Sequence, residues 1–376
     1  MINPTKKIFT FDDQGYSKDR LQEIISHAYS RSLNVVGVPG IQLCVFSDKH
    51  SFLWAGSVGY TKKCDGDKLS PFHPVRIASN TKTYVATAIL LLVERGKLKL
   101  DAPINLYISS EHSDILTNGG YSIDRITIRQ LLNHTSGLFD YADSPEFERL
   151  VEINPTHIWT RTEQLIIAID NGSPYGLPGA IYRYSDTGYI LLGEILEKTY
   201  QKPLAVCLRE LIGFSDLGLS STWLEGEEDR PGTMLNRVHQ YYGETDSYSH
   251  HPSMDAYGGG GLVSTVEDLS RFIYALFNAR IYSIPNTVKT MLTAPKSVAA
   301  GPVAYSEWEQ VPGSYGLGLE MDQNRLVFSH SGYWGTHAAY IPSLHLSLAF
   351  SINLHHAQQR NQLIEDLYDF FGLVIS

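Results

Sequence analysis

Arg76-Ile-Ala-Ser-Asn-Thr-Lys-Thr-Tyr84, running on into the uncharged segment Val85 to Val93, joins a candidate nucleophile to a buried helix. From Asn80 onwards the pattern is helical: Val85, Ala88, Ile89 and Leu92 recur at helical intervals, Ser79 is a preferred helix-start residue and Gly96 a stop signal. Residues three apart share a helix face, so Lys82 stands one turn above Ser79. An ammonium or amine held there lowers the cost of deprotonating the serine hydroxyl, or shares its proton. The helix N-terminus contributes partial positive charge and a free backbone N–H, which suits a developing oxyanion. The plainer alternative makes Ser79 an N-cap and Lys82 a surface lysine. Against it, the chain contains a single Ser-x-x-Lys, and that motif opens its most apolar helix.

A chain of 376 residues, 43% hydrophobic, suits two intimately packed domains with a sizeable core. The net charge of -10 and the absence of any Lys/Arg run disfavour nucleic acid and anionic membranes as partners; a neutral or cationic small-molecule or peptide substrate fits better. Uncharged stretches fall short of a membrane span, so Tyr84–Val93 is expected to be a core helix. The N-terminus carries no apolar segment of signal-peptide length, so the expected compartment is the cytoplasm, or the periplasm or exterior if a leader has been removed. Cys44, Cys64 and Cys207 are widely spaced and without Cys-x-x-Cys, which points to free thiols. His250-His251 and His355-His356 are adjacent pairs and not an i, i+4 ligand pair, and there is no His-Glu-x-x-His, so no metal and no other cofactor is expected.

Along the chain, residues 17–32 form an amphipathic helical pattern with Leu21, Ile24, Ile25 and Ala28 on one side. Gly40 to Phe46 and Ser51 to Val58 are strand-like runs that predict a hairpin. Residues from Ser79 to about Tyr257 are helical and loop-rich and include a predicted helix from Gly188 to Thr199. Ser264 or Thr265 can cap a helix running through Arg271, Phe272 and Leu276. Arg325–Ser329, Thr336–Ile341 and Leu346–Leu354 predict a three-stranded antiparallel meander, and Asn361–Phe371 a closing helix. Strands at both ends with helices between imply an α/β architecture of the α+β type: an antiparallel sheet flanked by the N- and C-terminal helices, with a separate helical lobe. The expected division is 1–75 with 262–376 for the sheet lobe and 76–261 for the helical lobe.

Two further stretches carry chemistry. In Tyr182-Arg-Tyr-Ser-Asp-Thr-Gly-Tyr189, Tyr184 and Asp186 flank a serine ahead of an apolar helix. A tyrosine beside an ammonium can have its phenol pKa lowered enough to relay protons. Alternatively Asp186 caps the helix and Tyr184 packs as an ordinary aromatic; Tyr141-Ala-Asp143 is a competing triplet of the same form. In His330-Ser-Gly-Tyr-Trp-Gly335, glycines between two strand-like runs let a backbone N–H approach a substrate oxygen, or else mark a hairpin bend with His330 as a turn residue.

In this order the motifs resemble the serine β-lactamase and penicillin-recognising family, in its class C β-lactamase, D-aminopeptidase and D-Ala-D-Ala carboxypeptidase branch. The resemblance lies in Ser79-Asn-Thr-Lys82 for Ser-x-x-Lys, Tyr184-Ser-Asp186 for Tyr-x-Asn and His330-Ser-Gly332 for Lys-Thr-Gly or His-x-Gly, supported by Leu132-Asn-His-Thr-Ser-Gly-Leu138 and by Gly260 to Leu269. It spans roughly Val36 to Leu354. It implies a β-lactamase/transpeptidase-like fold, Ser79 as the acylated nucleophile and Lys82 with Tyr184 sharing its proton. It also implies an oxyanion hole from the Ser79 and Tyr333 N–H groups, with His330, Ser331 and Gly332 orienting substrate. No Gly-x-Ser-x-Gly occurs, which removes the α/β-hydrolase elbow as another route to a serine esterase.

Two departures shape the expected substrate. Asp186 replaces the usual asparagine, which removes an amide donor and adds a charge that holds Lys82 protonated, making Tyr184 the base, or that favours an amine-bearing substrate. His330 replaces lysine and is mostly neutral at pH 7, which weakens capture of a β-lactam carboxylate. Hydrolysis of D-amino-acid-containing peptides or amides is therefore expected, with carboxylesterase activity second and a catalytically weak penicillin-binding or scaffolding module third. Trp308, Tyr315, Tyr257 and Trp334 are candidates to line an apolar pocket.

Overall fold

Alternation of side chains along extended backbone organises the structure, a computed structural model that describes residues 16–232, 234–295, 298–300 and 314–373. Strands β1 (Gly40–Ser47) and β2 (Phe52–Gly59) form the expected hairpin, in register from Gly40 opposite Gly59 to Ser47 opposite Phe52. β3 (Glu320–Asp322), β4 (Val327–Gly332), β5 (Thr336–Ile341) and β6 (Leu346–Ser351) complete one antiparallel sheet in the order β3-β4-β5-β6-β1-β2. The two ends of the chain meet where Gln42 to Phe46 of β1 pair with Ser351 to Ser347 of β6.

The helices that cover this sheet or build the site are α1 (Lys18–Val36), α2 (Thr81–Glu94), α3 (Asp186–Tyr200), α4 (Val266–Phe277) and α5 (Ala357–Phe370). Ile41, Leu43 and Val45 of β1 and Leu346, Leu348 and Phe350 of β6 pack with Leu21 and Ile25 of α1 and Leu363 and Leu367 of α5. The intervening residues Cys44, Phe46, Ala338 and Ala349 join a second core with Leu269, Phe272 and Ile273 of α4 and with the helical residues between 81 and 217. A period of two thus feeds two cores from one sheet, each fully buried Leu or Ile contributing about 1.5–3 kcal/mol. Thr265, one of the two expected caps, accepts the Asp268 N–H and starts α4. Among the described residues no helix is long and apolar enough to cross a membrane.

Four boundaries differ from the sequence reading, each for a local reason. Ser79 is not an N-cap: Ala78–Asn80 form a 3-10 turn, and α2 begins at Thr81. Asp186 is not a cap either but the first residue of α3, two residues earlier than the predicted start. β4 runs through His330 to Gly332 because Ala338, His337 and Thr336 of β5 stand opposite these residues, so His330 is a strand residue and not a turn residue. α5 starts four residues early because the ring of His356 accepts the Gln359 N–H, a cap that residue preferences do not anticipate.

Candidate active site

The segment that carries the candidate nucleophile is pinned before it reaches Ser79. Val75 and Arg76 pair with Ser264 and Val263, and the buried Arg76 guanidinium bonds Glu225 at 2.6 Å and the carbonyls of Ser247 and His250 at 3.0 and 2.7 Å. Ala78 then adopts a left-handed backbone (φ 46°), a conformation that costs a non-glycine residue about 1–3 kcal/mol and lifts Ser79 out of the extended path. Asn80 Nδ2 donates to Ile77 O and to Thr336 Oγ1, each at 3.0 Å, and Thr336 Oγ1 donates to Ile77 O at 3.0 Å. This three-point lock holds the turn against β5. It also requires Gly332: a Cβ there would stand 2.3 Å from the Ile77 carbonyl oxygen.

The i, i+3 spacing places Lys82 as expected, but it is buried and not a surface lysine. Its Nζ donates to Ser79 Oγ at 2.9 Å and to Gly259 O at 2.7 Å, and it forms an ion pair with the Asp186 carboxylate. Two protein acceptors and an adjacent carboxylate charge suit an ammonium. The Tyr184 phenol faces the Ser79 side chain, and its ring lies 5.0 Å from Lys82 Nζ. The lowered phenol pKa inferred from the sequence does not hold. Burial and then the Asp186 charge push the Tyr184 phenol well above its usual value, against the opposing pull of the Ser79 side chain. The competing triplet lies elsewhere: Tyr141 donates to Met254 O at 3.5 Å, and Asp143 pairs with Arg183 at 2.6 Å.

On β4, His330 is buried with both ring nitrogens occupied. Nδ1 lies 2.7 Å from the Ser331 carbonyl, which can only accept, so Nδ1 carries the proton; Nε2 then accepts from the Tyr315 hydroxyl at 2.8 Å. Burial, followed by the Lys82 charge, pushes this imidazole down to about 3, so it is neutral at physiological pH. Strand alternation turns Ser331 to the other face, where its hydroxyl meets His337 Nδ1 at 2.9 Å, so the Ser331 side chain does not join His330 on the Lys82 side. The Tyr333 ring stacks on His355 at 3.9 Å, away from Lys82. Of the four aromatic residues expected to line a pocket, Tyr315 reaches the site through His330. Tyr257 donates to Trp159 O at 2.6 Å, Trp334 is buried against Tyr333 at 4.9 Å, and Trp308 lies outside the described residues.

The geometry agrees with comparison to known proteins. The family model described as Beta-lactamase matches residues 31–369. The chain belongs to the β-lactamase family. A penicillin-binding protein of Bacillus subtilis (strain 168) is 27% identical over 75% of this chain, a match spanning 60% of that protein's length. A Salmonella enteritidis PT4 protein provisionally named D-alanyl-D-alanine carboxypeptidase is 23% identical over 99% of this chain and 91% of its own. The crystal structure of a D-stereospecific amidohydrolase from Streptomyces sp. superposes with a TM-score of 0.72 at 25% identity, covering 92% of this chain and 98% of that one.

Within this β-lactamase-family site, sequence reasoning overlooked two carboxyls. Asp140 accepts the Ala142 N–H at 3.1 Å, and burial followed by the charges of Asp186 and Asp143 pushes its carboxyl well above the usual range. Asp255 lies against Gly260, where a Cβ would stand 2.3 Å from its carboxyl oxygens; burial and then Asp186 push it up to about 7. Neither belongs to a recognisable motif. What marks them is their proximity to Asp186, which only folding creates.

Proposed function

We propose that this serine hydrolase, working through an acyl-enzyme on Ser79, acts on D-amino-acid-containing peptides or amides. The observation that carries the reading is the Ser79 hydroxyl bonded by the Lys82 ammonium at 2.9 Å and facing the Tyr184 phenol. β3 pairs β4 only as far as Ser329, so the ladder on that edge ends before His330 to Gly332. Ser79 Oγ attacks the carbonyl carbon while its proton passes to Tyr184, and the Tyr184 proton passes to the departing nitrogen as the C–N bond breaks. Such a relay builds up no free phenolate, which accords with the raised phenol pKa. Water then attacks the acyl carbon, hands a proton to Tyr184 and restores the Ser79 hydroxyl. Lys82, kept charged by Asp186, stabilises the developing negative charge together with the N–H groups of Ser79 and Tyr333.

The state of His330 selects among substrates. A neutral imidazole with both nitrogens engaged offers no cation to a terminal carboxylate, which supports amide or aminopeptidase chemistry over carboxypeptidase or β-lactam hydrolysis. The name of the Streptomyces amidohydrolase points the same way. The missing carboxylate anchor equally admits simple acyl esters, the second reading. A scaffolding role would need none of the buried proton-handling groups that Ser79, Lys82 and Tyr184 supply. Intact-mass spectrometry after exposure to a fluorophosphonate and, separately, a penicillin, with Ser79→Ala as control, tests this. A Ser79-dependent fluorophosphonate adduct with little penicillin adduct is expected; a lasting penicillin adduct would move the assignment to a penicillin-binding carboxypeptidase, and no adduct would leave a binding module.

A further inference from the structure

Tyr184 stands in an irregular link between the short strand Ile181–Tyr182 and the first residue of α3, with no regular backbone ladder to hold it. A proton relay nevertheless needs its oxygen placed to within about half an ångström. His134 supplies what the link lacks. Its carbonyl accepts the Arg183 N–H at 2.9 Å, its Nδ1 accepts the Ser185 N–H at 3.2 Å, and its ring lies 4.1 Å from the Tyr184 ring at an interplanar angle of 31°. One residue thus grips the residue before Tyr184, the residue after it, and the phenol ring itself. Tyr315 at 4.7 Å and Tyr189 at 5.2 Å hold the imidazole in turn.

We propose that His134 is the positioning residue of Tyr184, fixing the plane and reach of the phenol toward Ser79. The proposal rests on the reading of Tyr184 as the proton relay. His134 occupies a left-handed backbone (φ 58°) that costs a non-glycine residue about 1–3 kcal/mol. Because Nδ1 accepts, the ring proton is on Nε2, and that buried atom has no hydrogen-bond partner among the described residues. A residue kept only for packing would be better served by an apolar ring at lower cost. Burial, then the Lys82 charge, push the imidazole pKa well below its usual value, so Nδ1 remains an acceptor at physiological pH.

The test is a double-mutant cycle with His134→Phe and Tyr184→Phe, read as the rate of fluorophosphonate labelling at Ser79. His134→Phe keeps a stacking ring and exchanges one unmatched donor, Nε2–H, for another, Ser185 N–H. Its thermal midpoint should therefore stay close to that of the parent, while labelling slows about 10- to 100-fold. In the Tyr184→Phe background the same change should alter the rate less than about twofold, since the group it positions is gone. Unchanged labelling, or an equal loss in both backgrounds, overturns the proposal. If His134→Phe does not fold, His134→Gln, which keeps an acceptor and loses the ring, runs the same cycle with the same criterion. A slow Tyr184→Phe with a normal His134→Phe rejects the positioning role alone. No labelling of the parent rejects the acyl-enzyme reading and the positioning role with it; Tyr184→Phe at the parental rate rejects Tyr184 as the relay, and with it the positioning role.

Discussion

Replacing Gly332 with alanine would place a Cβ 2.2 Å from Thr336 Oγ1, 2.3 Å from Ile77 O and 3.0 Å from Asn80 Nδ2. The threonine hydroxyl can rotate away, but the Ile77 carbonyl is backbone and is held by both Asn80 and Thr336. Contacts closer than 3.0 Å are not tolerated, so strand and turn must part by about 0.7 Å, the difference between 3.0 and 2.3 Å. Overpacking of this kind costs about 1–3 kcal/mol of stability. Ile77 is two residues from Ser79, and displacement approaching 1 Å at reacting groups lowers rates by about 10²-fold. Gly332→Ala should therefore fold with a lower thermal midpoint and show kcat/KM on D-alanine p-nitroanilide reduced by about one to two orders of magnitude, with fluorophosphonate labelling slowed in parallel. Gly332→Ala with kcat/KM within about threefold of the parent would refute the argument, because the turn would then have absorbed the methyl group without moving the nucleophile.

Asp186→Asn leaves the Lys82 ammonium without its counter-charge, and kcat should fall at least about tenfold; unchanged kinetics together with unchanged substrate preference would exclude both roles considered for Asp186. The same change should bring the Asp255 carboxyl down from about 7, since Asp186 is one of its two raising causes, as a carboxyl-selective NMR titration would detect. Burial, followed by the Arg360 charge, pushes His337 down to about 3, so between pH 6.5 and 3 the unfolded chain binds a proton that the folded chain refuses. Its contribution to stability is complete above pH 6.5 and is lost as the pH falls. His337→Phe should accordingly lose about 2–3 kcal/mol less than the parent between pH 7.5 and 4.5 in urea titrations, whatever its stability at pH 7.5. Thr265→Ala removes the cap of α4 and should cost about 1 kcal/mol in thermal unfolding while leaving kcat/KM unchanged.

The parts legible in the sequence are those governed by neighbours in the chain. The approach of Lys82 to Ser79 follows from i, i+3 spacing on a helix, and the alternation of β1 and β6 follows from the pleat, so the Ser79–Lys82 pair and the sheet follow from the chain alone. The direction of the Tyr184 shift was misread because spacing reveals a neighbouring charge but not burial, and here burial outweighs it.

What tertiary structure decided is the partner of each polar group. Asp186 reaches Lys82, Gly259 turns its carbonyl to the same ammonium, Tyr315 occupies the free nitrogen of His330, and Ser331 turns to His337. His134 holds Tyr184 from both sides. Each pair joins segments brought together only when the cores close, and a buried polar group takes whichever partner that closure leaves within reach. The chain by itself therefore determined the β-lactamase-like fold and the approach of Lys82 to Ser79. The protonation, orientation and availability of the surrounding groups, on which the choice between amide and carboxylate substrates depends, were set by packing between distant segments.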